Sequence, residues 1–213
     1  DLFNQSLKNI YLTDQFKTVS IRFDTTRTRL FPKIELFQNE KYNFSSELGG
    51  SVFRGIPGPF LTNSFKVRRL FSSLDYFDFS TRIGYEAQSG FINTTDTRNN
   101  LELNVSASIN FPTLHLPQFM VGKLGSYYGA KTSVGVGFDF INRPEYQRTN
   151  LNLFQRYTWQ KSEYSFFTFS FVNLNLLNTI YPETATSDAF KGYLEELKLK
   201  GNNLYRSFNP SFV

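Results

Sequence analysis

Cysteine is absent from the 213 residues, and the chain has one His, one Met and one Trp. Without Cys there is no disulfide frame, no thiolate nucleophile and no sulfur-based metal site, and a lone His leaves little from which to build a zinc or haem site. No apolar run approaches the ~20 residues that a membrane-crossing helix needs, and the opening Asp1-Leu2-Phe3-Asn4 is not a secretory signal. The charge balance is mild: 23 Lys+Arg against 18 Asp+Glu, spread along the chain rather than gathered into a nucleic-acid-binding stripe. What is abundant is aromatic, with 25 Phe and 12 Tyr, a composition that favours β structure.

The dominant pattern is strict alternation. Leu101, Leu103, Val105, Ala107, Ile109 and Phe111 are interleaved with Glu102, Asn104, Ser106, Ser108 and Asn110. Successive side chains of a strand point to opposite faces, so this segment has one apolar wall and one polar wall. Its length suits the ~9–11 residues of a tilted strand crossing a bilayer. The same pattern runs through Tyr42–Val52, Phe77–Gln88, Ser133–Phe140 and Asn150–Trp159, with Phe154 out of phase, and through Val19, Ile21 and Phe23 near the start. Between Phe167 and Leu176 the apolar phase slips, which predicts a bulge or the point where a strand leaves its slab. Gly55-Ile56-Pro57-Gly58-Pro59 reads as a break, Asn93–Asn100 as a loop, and Asn142–Glu145 and Gln160–Glu163 as hairpin turns. Links this short imply antiparallel up-and-down topology. One segment reads as a helix, over 187–200, with Phe190, Leu194 and Leu197 on one face and Gly201 to end it.

Alternation alone does not say whether the apolar wall faces inward, as in a soluble sandwich or ligand-binding barrel, or outward to lipid. The polar wall mixes Ser, Asn and Gly with Arg82, Glu102, Asp139 and Arg156 and has little Lys. Tyr42, Tyr85, Tyr157 and Trp159 lie near strand ends, where an interfacial aromatic girdle would sit. These features favour an all-β, antiparallel up-and-down transmembrane barrel of about seven or eight strands, with Leu103, Val105, Ile109, Val134, Val136 and Phe138 facing lipid.

His115, in Pro112-Thr113-Leu114-His115-Leu116-Pro117, reads as a loop residue, since no second His or Cys could join it. No Gly-x-Ser-x-Gly elbow is present, and Gly135-Val136-Gly137 lacks the third glycine of a phosphate loop, so neither an enzyme nor a bound cofactor is expected. Lys66, Arg68 and Arg69 read as a solvated hairpin, with anionic lipid as the alternative.

Several segments resemble, in order, the Omp85 superfamily of outer-membrane assembly proteins, in its BamA/TamA-like and Bacteroidota surface-antigen forms. Ile10-Tyr11-Leu12-Thr13 followed by Val19–Asp24 resembles the junction between the last periplasmic POTRA domain and the barrel. Arg68-Arg69-Leu70-Phe71, Arg82–Gln88, Ser106–Pro112 with Leu116-Pro117, Phe140–Tyr146 and Gly201–Phe208 are similar to later segments of that family. Arg69 stands where the family has Asn, and Phe53-Arg54-Gly55-Ile56 echoes its Val-Arg-Gly-Phe loop in the wrong place.

The resemblance implies residues 1–14 as the tail of the POTRA region and 15–213 as the N-terminal part of a barrel that is usually sixteen-stranded. It implies the bacterial outer membrane, and assembly, insertion or translocation of polypeptide without nucleotide. The first strand, with Val19, Ile21 and Phe23, would form a seam that takes up a client strand. The implied partners are membrane lipid and lipopolysaccharide, unfolded outer-membrane clients, and periplasmic POTRA, TamB-like or Bam accessory proteins. The alternatives are a passive porin-like channel, with Arg82, Glu102 and Arg156 on its lumen, or a soluble ligand-binding β-barrel.

Overall fold

A computed structural model describes residues 2–26, 29–53, 56–71, 74–88, 98–116, 128–143, 145–162, 164–181, 185–196 and 204–212. Helix α1 (Leu2–Leu12) precedes a hairpin of β1 (Phe16–Thr26) and β2 (Arg29–Gln38). Then come β3 (Tyr42–Phe53), β4 (Ile56–Arg68), β5 (Tyr76–Gln88), β6 (Arg98–Phe111), β7 (Tyr128–Asn142), β8 (Gln147–Ser162) and β9 (Ser165–Ile180). Helix α2 (Ala185–Glu196) leads to β10 (Leu204–Phe208) and the short β11 (Ser211–Phe212).

The fold is almost entirely antiparallel sheet. Among the described residues β1 pairs only with β2, and β3 to β10 form one sheet in chain order, with β11 also on β9. Every pairing is antiparallel, as the tight turns predict. The sheet is open among the described residues, with β3 and β10 at its edges.

Register turns the alternation of each strand into two continuous walls. One row across the sheet is Phe44, Phe65, Phe79, Ala107, Val136, Leu153, Leu174 and Phe208. The adjacent row, on the opposite face, is Ser45, Ser64, Ser80, Ser106, Gly137, Asn152, Asn175 and Ser207. A one-residue slip anywhere would exchange the walls, so the pattern itself specifies the pairing.

The polar wall is held by amide and hydroxyl pairs. Asn152 donates to Asn175 Oδ1 at 2.7 Å and Asn173 Oδ1 at 3.1 Å, and Ser133 donates to Asn110 Oδ1 at 2.8 Å. The phase slip in β9 is real: Gln155 pairs with Val172 but Arg156 with Ser170, so Phe171 is the extra residue of a bulge.

Phe154 keeps its place on the polar wall by lying over Gly135. A Cβ built on Gly135 would come 2.6 Å from the ring tip and 2.8 Å from the Ala107 carbonyl. Phe60 covers Gly49 likewise, its ring tip occupying the place a Cβ would take, and the Arg82 guanidinium lies 4.0 Å from the Phe60 ring centre. Both Gly→Ala changes should destabilise the sheet by about 1–3 kcal/mol in denaturant melts. Phe60→Leu should recover most of the Gly49→Ala loss, because only that ring is in the way. Phe154→Leu should not recover Gly135→Ala, since the backbone oxygen stays.

Several elements depart from the sequence reading, among them residues 98–100, which begin β6 instead of closing a loop, while 93–97 of that expected loop lie outside the described residues. Among the described residues there are two helices rather than one, as α1 occupies a stretch assigned only as a tail. β2 was not among the expected strands; it carries Pro32, opposite Phe23. Ile56–Pro59 does not break the strand and opens β4, paired with β3. The predicted helix begins at Ala185, and its expected residues Leu197 to Lys200 lie outside the described residues.

Candidate functional site

Three features could act on another molecule: the apolar wall, the free strand edges, and a polar junction at one end. Leu103, Val105, Ile109, Val134, Val136 and Phe138 all lie on the apolar wall, as their register with one another requires. Among the described residues no element packs over that wall; α1 lies against β1 and β7 at one end. Phe44 is 67% exposed and Leu48 81%. The chain's accessible surface is 14559 Å², whereas a compact soluble chain of this mass would show roughly 10,000 Å². The excess is what a single sheet without a covering layer must have, and so large an apolar expanse marks a contact surface.

Val19, Ile21 and Phe23 are on β1, opposite Leu36, Ile34 and Pro32. They are therefore not on the first strand of the large sheet, which begins with β3. Within the described ladders, β1 and β3 each have a partner on one side only.

The polar junction ties α1 and the root of the β1–β2 hairpin to the β4–β5 turn. Asp14 follows the helix with φ at 57°, a left-handed conformation that costs a non-glycine residue about 1–2 kcal/mol. That twist presents both its carbonyl and its carboxylate to β4. Arg68, 7% exposed, donates Nε to Asp14 O at 2.7 Å, Nη2 to Asp14 Oδ1 at 3.3 Å and Nη1 to Glu40 O at 3.2 Å. Lys66 pairs with Asp14 Oδ2 and lies 3.6 Å from Asp78 Oδ1. Gln15 Nε2 donates to Leu74 O at 3.0 Å, and Asn39 N–H to Gln15 O at 2.8 Å. Arg69, also at φ 57°, reaches Gln38 Oε1 and Asn39 O. Asn9 Oδ1 accepts the Gly129 N–H at 2.8 Å, which fixes α1 against β7.

This overturns the reading of Lys66, Arg68 and Arg69 as a solvated hairpin: their partners are side chains and carbonyls of the N-terminal segment. Local sequence carries no sign of it, because Asp14 and Arg68 are far apart in the chain.

Partial burial would raise the Asp14 carboxyl, but the Lys66 hydrogen bond and the charges of Lys66 and Arg68 outweigh it and hold the group below its ordinary value. Because the folded-state value is depressed, the stabilisation is complete above about pH 4 and is lost as pH falls through the lowered value. Proteolytic release of α1 should therefore set in only below about pH 4, and Asp14→Asn should release it at every pH.

At the opposite end, Phe190 of α2 packs on Tyr146 and Tyr181, 6.1 and 6.4 Å between ring centres. His115, at the α1 end, is exposed, with its ring against Phe111 at 4.8 Å and its backbone N–H on Thr132 Oγ1 at 2.9 Å. Among the described residues no three Asp, Glu or His side chains gather to hold a metal. No family model, no curated protein and no solved structure matches the chain.

Proposed function

We propose that this chain forms part of the wall of a bacterial outer-membrane β-barrel of the Omp85 type, which inserts or passes polypeptide by strand pairing at an open edge, without nucleotide. The observation that carries the reading is the pair of walls: an uncovered apolar row across eight strands, backed by a row of Ser, Asn and Gly. A bilayer is the one solvent that covers such a wall without a second protein layer, while water fills the polar side. The up-and-down order supports it, because it leaves edges only at the two ends of the sheet.

The Omp85 assignment is supported by the ordered sequence resemblance and by the N-terminal segment gripped at one rim. The reading takes β1, around Val19, Ile21 and Phe23, as the seam; Tyr11 Oη bonds the Val19 N–H and carbonyl at 3.3 Å on its outer flank, so a client strand would displace that hydroxyl. A client strand added there gains backbone hydrogen bonds that lipid cannot supply. The Arg, Glu and Asp side chains of the polar wall equally suit a passive channel.

The test is cross-linking of single cysteines at 19, 21 and 23, in a chain with no other Cys, to a nascent outer-membrane protein. The seam predicts client adducts at these positions. No adduct, while control cysteines on β10 react, would sink it and leave the channel.

A further inference from the structure

A cleft of about 310 Å³ opens on the polar wall where the end of α1 meets β7 and β8. That is the small end of the ~300–1,000 Å³ range of ligand sites. Leu12 of α1, Pro112 and Phe166 supply its apolar lining, and Lys131, Arg156, Thr158 and Gln160 its polar lining. Register sets the polar group. Lys131 pairs with Thr158 and Ser133 with Arg156, so Lys131 and Arg156 are diagonal neighbours on one face, at the ~7–8 Å that long side chains span. Gln160 stands two residues beyond Thr158 on the same face.

Charge is unbalanced at this end of the wall. Lys66, Arg68, Lys131 and Arg156 gather against the carboxylates of Asp14 and Asp78, and both carboxylates are taken. Asp14 is held by Lys66 and Arg68, and Asp78 by Lys66 at 3.6 Å and Asn110 Nδ2 at 3.1 Å. Among the described residues Lys131 and Arg156 make no hydrogen bond or ion pair. Each rests on a ring instead: Lys131 Nζ is 5.2 Å from the centre of Tyr76, and Arg156 Cζ is 5.4 Å from that of Phe154. Lys66 Nζ lies 4.9 Å from the same Tyr76 ring, so two ammonium groups share it. Lys131 is half-buried, and a cation drawn from water beside another cation lacks the counter-charge that burial calls for. Gln160 has the opposite need. Its Oε1 is buried with no donor.

We propose that this cleft binds a phosphate monoester whose alcohol part carries a free hydroxyl, as glycerol and sugar phosphates do. The phosphate brings nearly two negative charges and three acceptor oxygens, which answer Lys131, Arg156 and the Thr158 hydroxyl together. A carboxylate would neutralise only one of the two cations. The free hydroxyl donates to Gln160 Oε1, and the carbon skeleton lies against Leu12, Pro112 and Phe166. The site stands on these side chains and does not rest on the seam or the lipid-facing wall.

The test is equilibrium dialysis of the full chain, in phosphatidylcholine vesicles, against radiolabelled glycerol 3-phosphate. One equivalent should bind, roughly tenfold tighter than methyl phosphate, which has no hydroxyl for Gln160. Lys131→Ala and Arg156→Ala should each weaken binding by about tenfold or more. Gln160→Leu should bring it down to the level of methyl phosphate. Arg148→Ala, on the same wall near its other end, should leave it unchanged. Trp159 emission reports that the sheet is intact, and Lys131→Gln or Arg156→Gln replaces an alanine variant that loses it.

Doping the vesicles with lysophosphatidic acid, a lipid with the same phosphate and hydroxyl, identifies the source. Abolished uptake places the ligand in the membrane and unchanged uptake places it in solution, and either fits the site. No uptake, uptake that both cation variants retain, or methyl phosphate bound as tightly as glycerol 3-phosphate would overturn the proposal, whatever cross-linking at β1 shows.

Discussion

Val136→Arg is expected to cost the folded chain about 2–4 kcal/mol in lipid vesicles, the penalty for a cation at the midplane of a lipid-facing barrel wall. Val136 lies between Ala107 and Leu153 in the apolar row, and no element covers it among the described residues. Ser106→Arg, one residue along on the polar wall beside Gly137, should cost under about 1 kcal/mol, since water solvates the new charge there. The measurement is equilibrium unfolding by guanidinium in vesicles, read by the single Trp159. If the apolar wall faced water, both substitutions would fall within about 0.5 kcal/mol of the parent.

Arg68→Ala should be the most damaging change at the polar junction, at about 3 kcal/mol. The loss leaves the Asp14 carbonyl, the Asp14 carboxylate and the Glu40 carbonyl without the donor that joins them. The strained φ at Asp14 then loses what holds it, and α1 with the β1–β2 root should come away from the β4–β5 turn. Limited proteolysis would show cleavage near residues 13–16 at protease levels that spare the parent. Arg68→Lys keeps the charge but lacks the fork that reaches three oxygens, so it should recover less than half of the loss. Unchanged protease resistance in Arg68→Ala would mean that the junction is held elsewhere.

The sheet was legible where a strand is two-faced over its whole length. Leu101–Phe111 states its own walls, and the phase slip after Phe167 marks the bulge that register places at Phe171. Strand order was legible through the short turns, since only neighbours can be joined by them. What was hidden depends on a partner strand. Pro57 and Pro59 read as strand breakers because a missing donor counts against a strand in general; here both gaps face the same neighbour, and pairing on the other side survives. The Asp14–Arg68 grip and the left-handed residues Asp14 and Arg69 arise from contacts remote in sequence, and neither position is glycine or asparagine to announce the turn. The apolar wall was read as a set of residues, whereas its lack of cover emerged only from the packing.

The central claim is that the row through Val136 touches hydrocarbon and the row through Ser106 touches water. Because the parent has no Cys, Val136→Cys and Ser106→Cys can each carry one environment-sensitive fluorophore in the vesicle-inserted chain. The account predicts that doxyl groups on the lipid tails quench the label at 136 while iodide does not, and that the label at 106 behaves the opposite way. Labels at both positions quenched by iodide, or both shielded from the lipid-borne quencher, would contradict it.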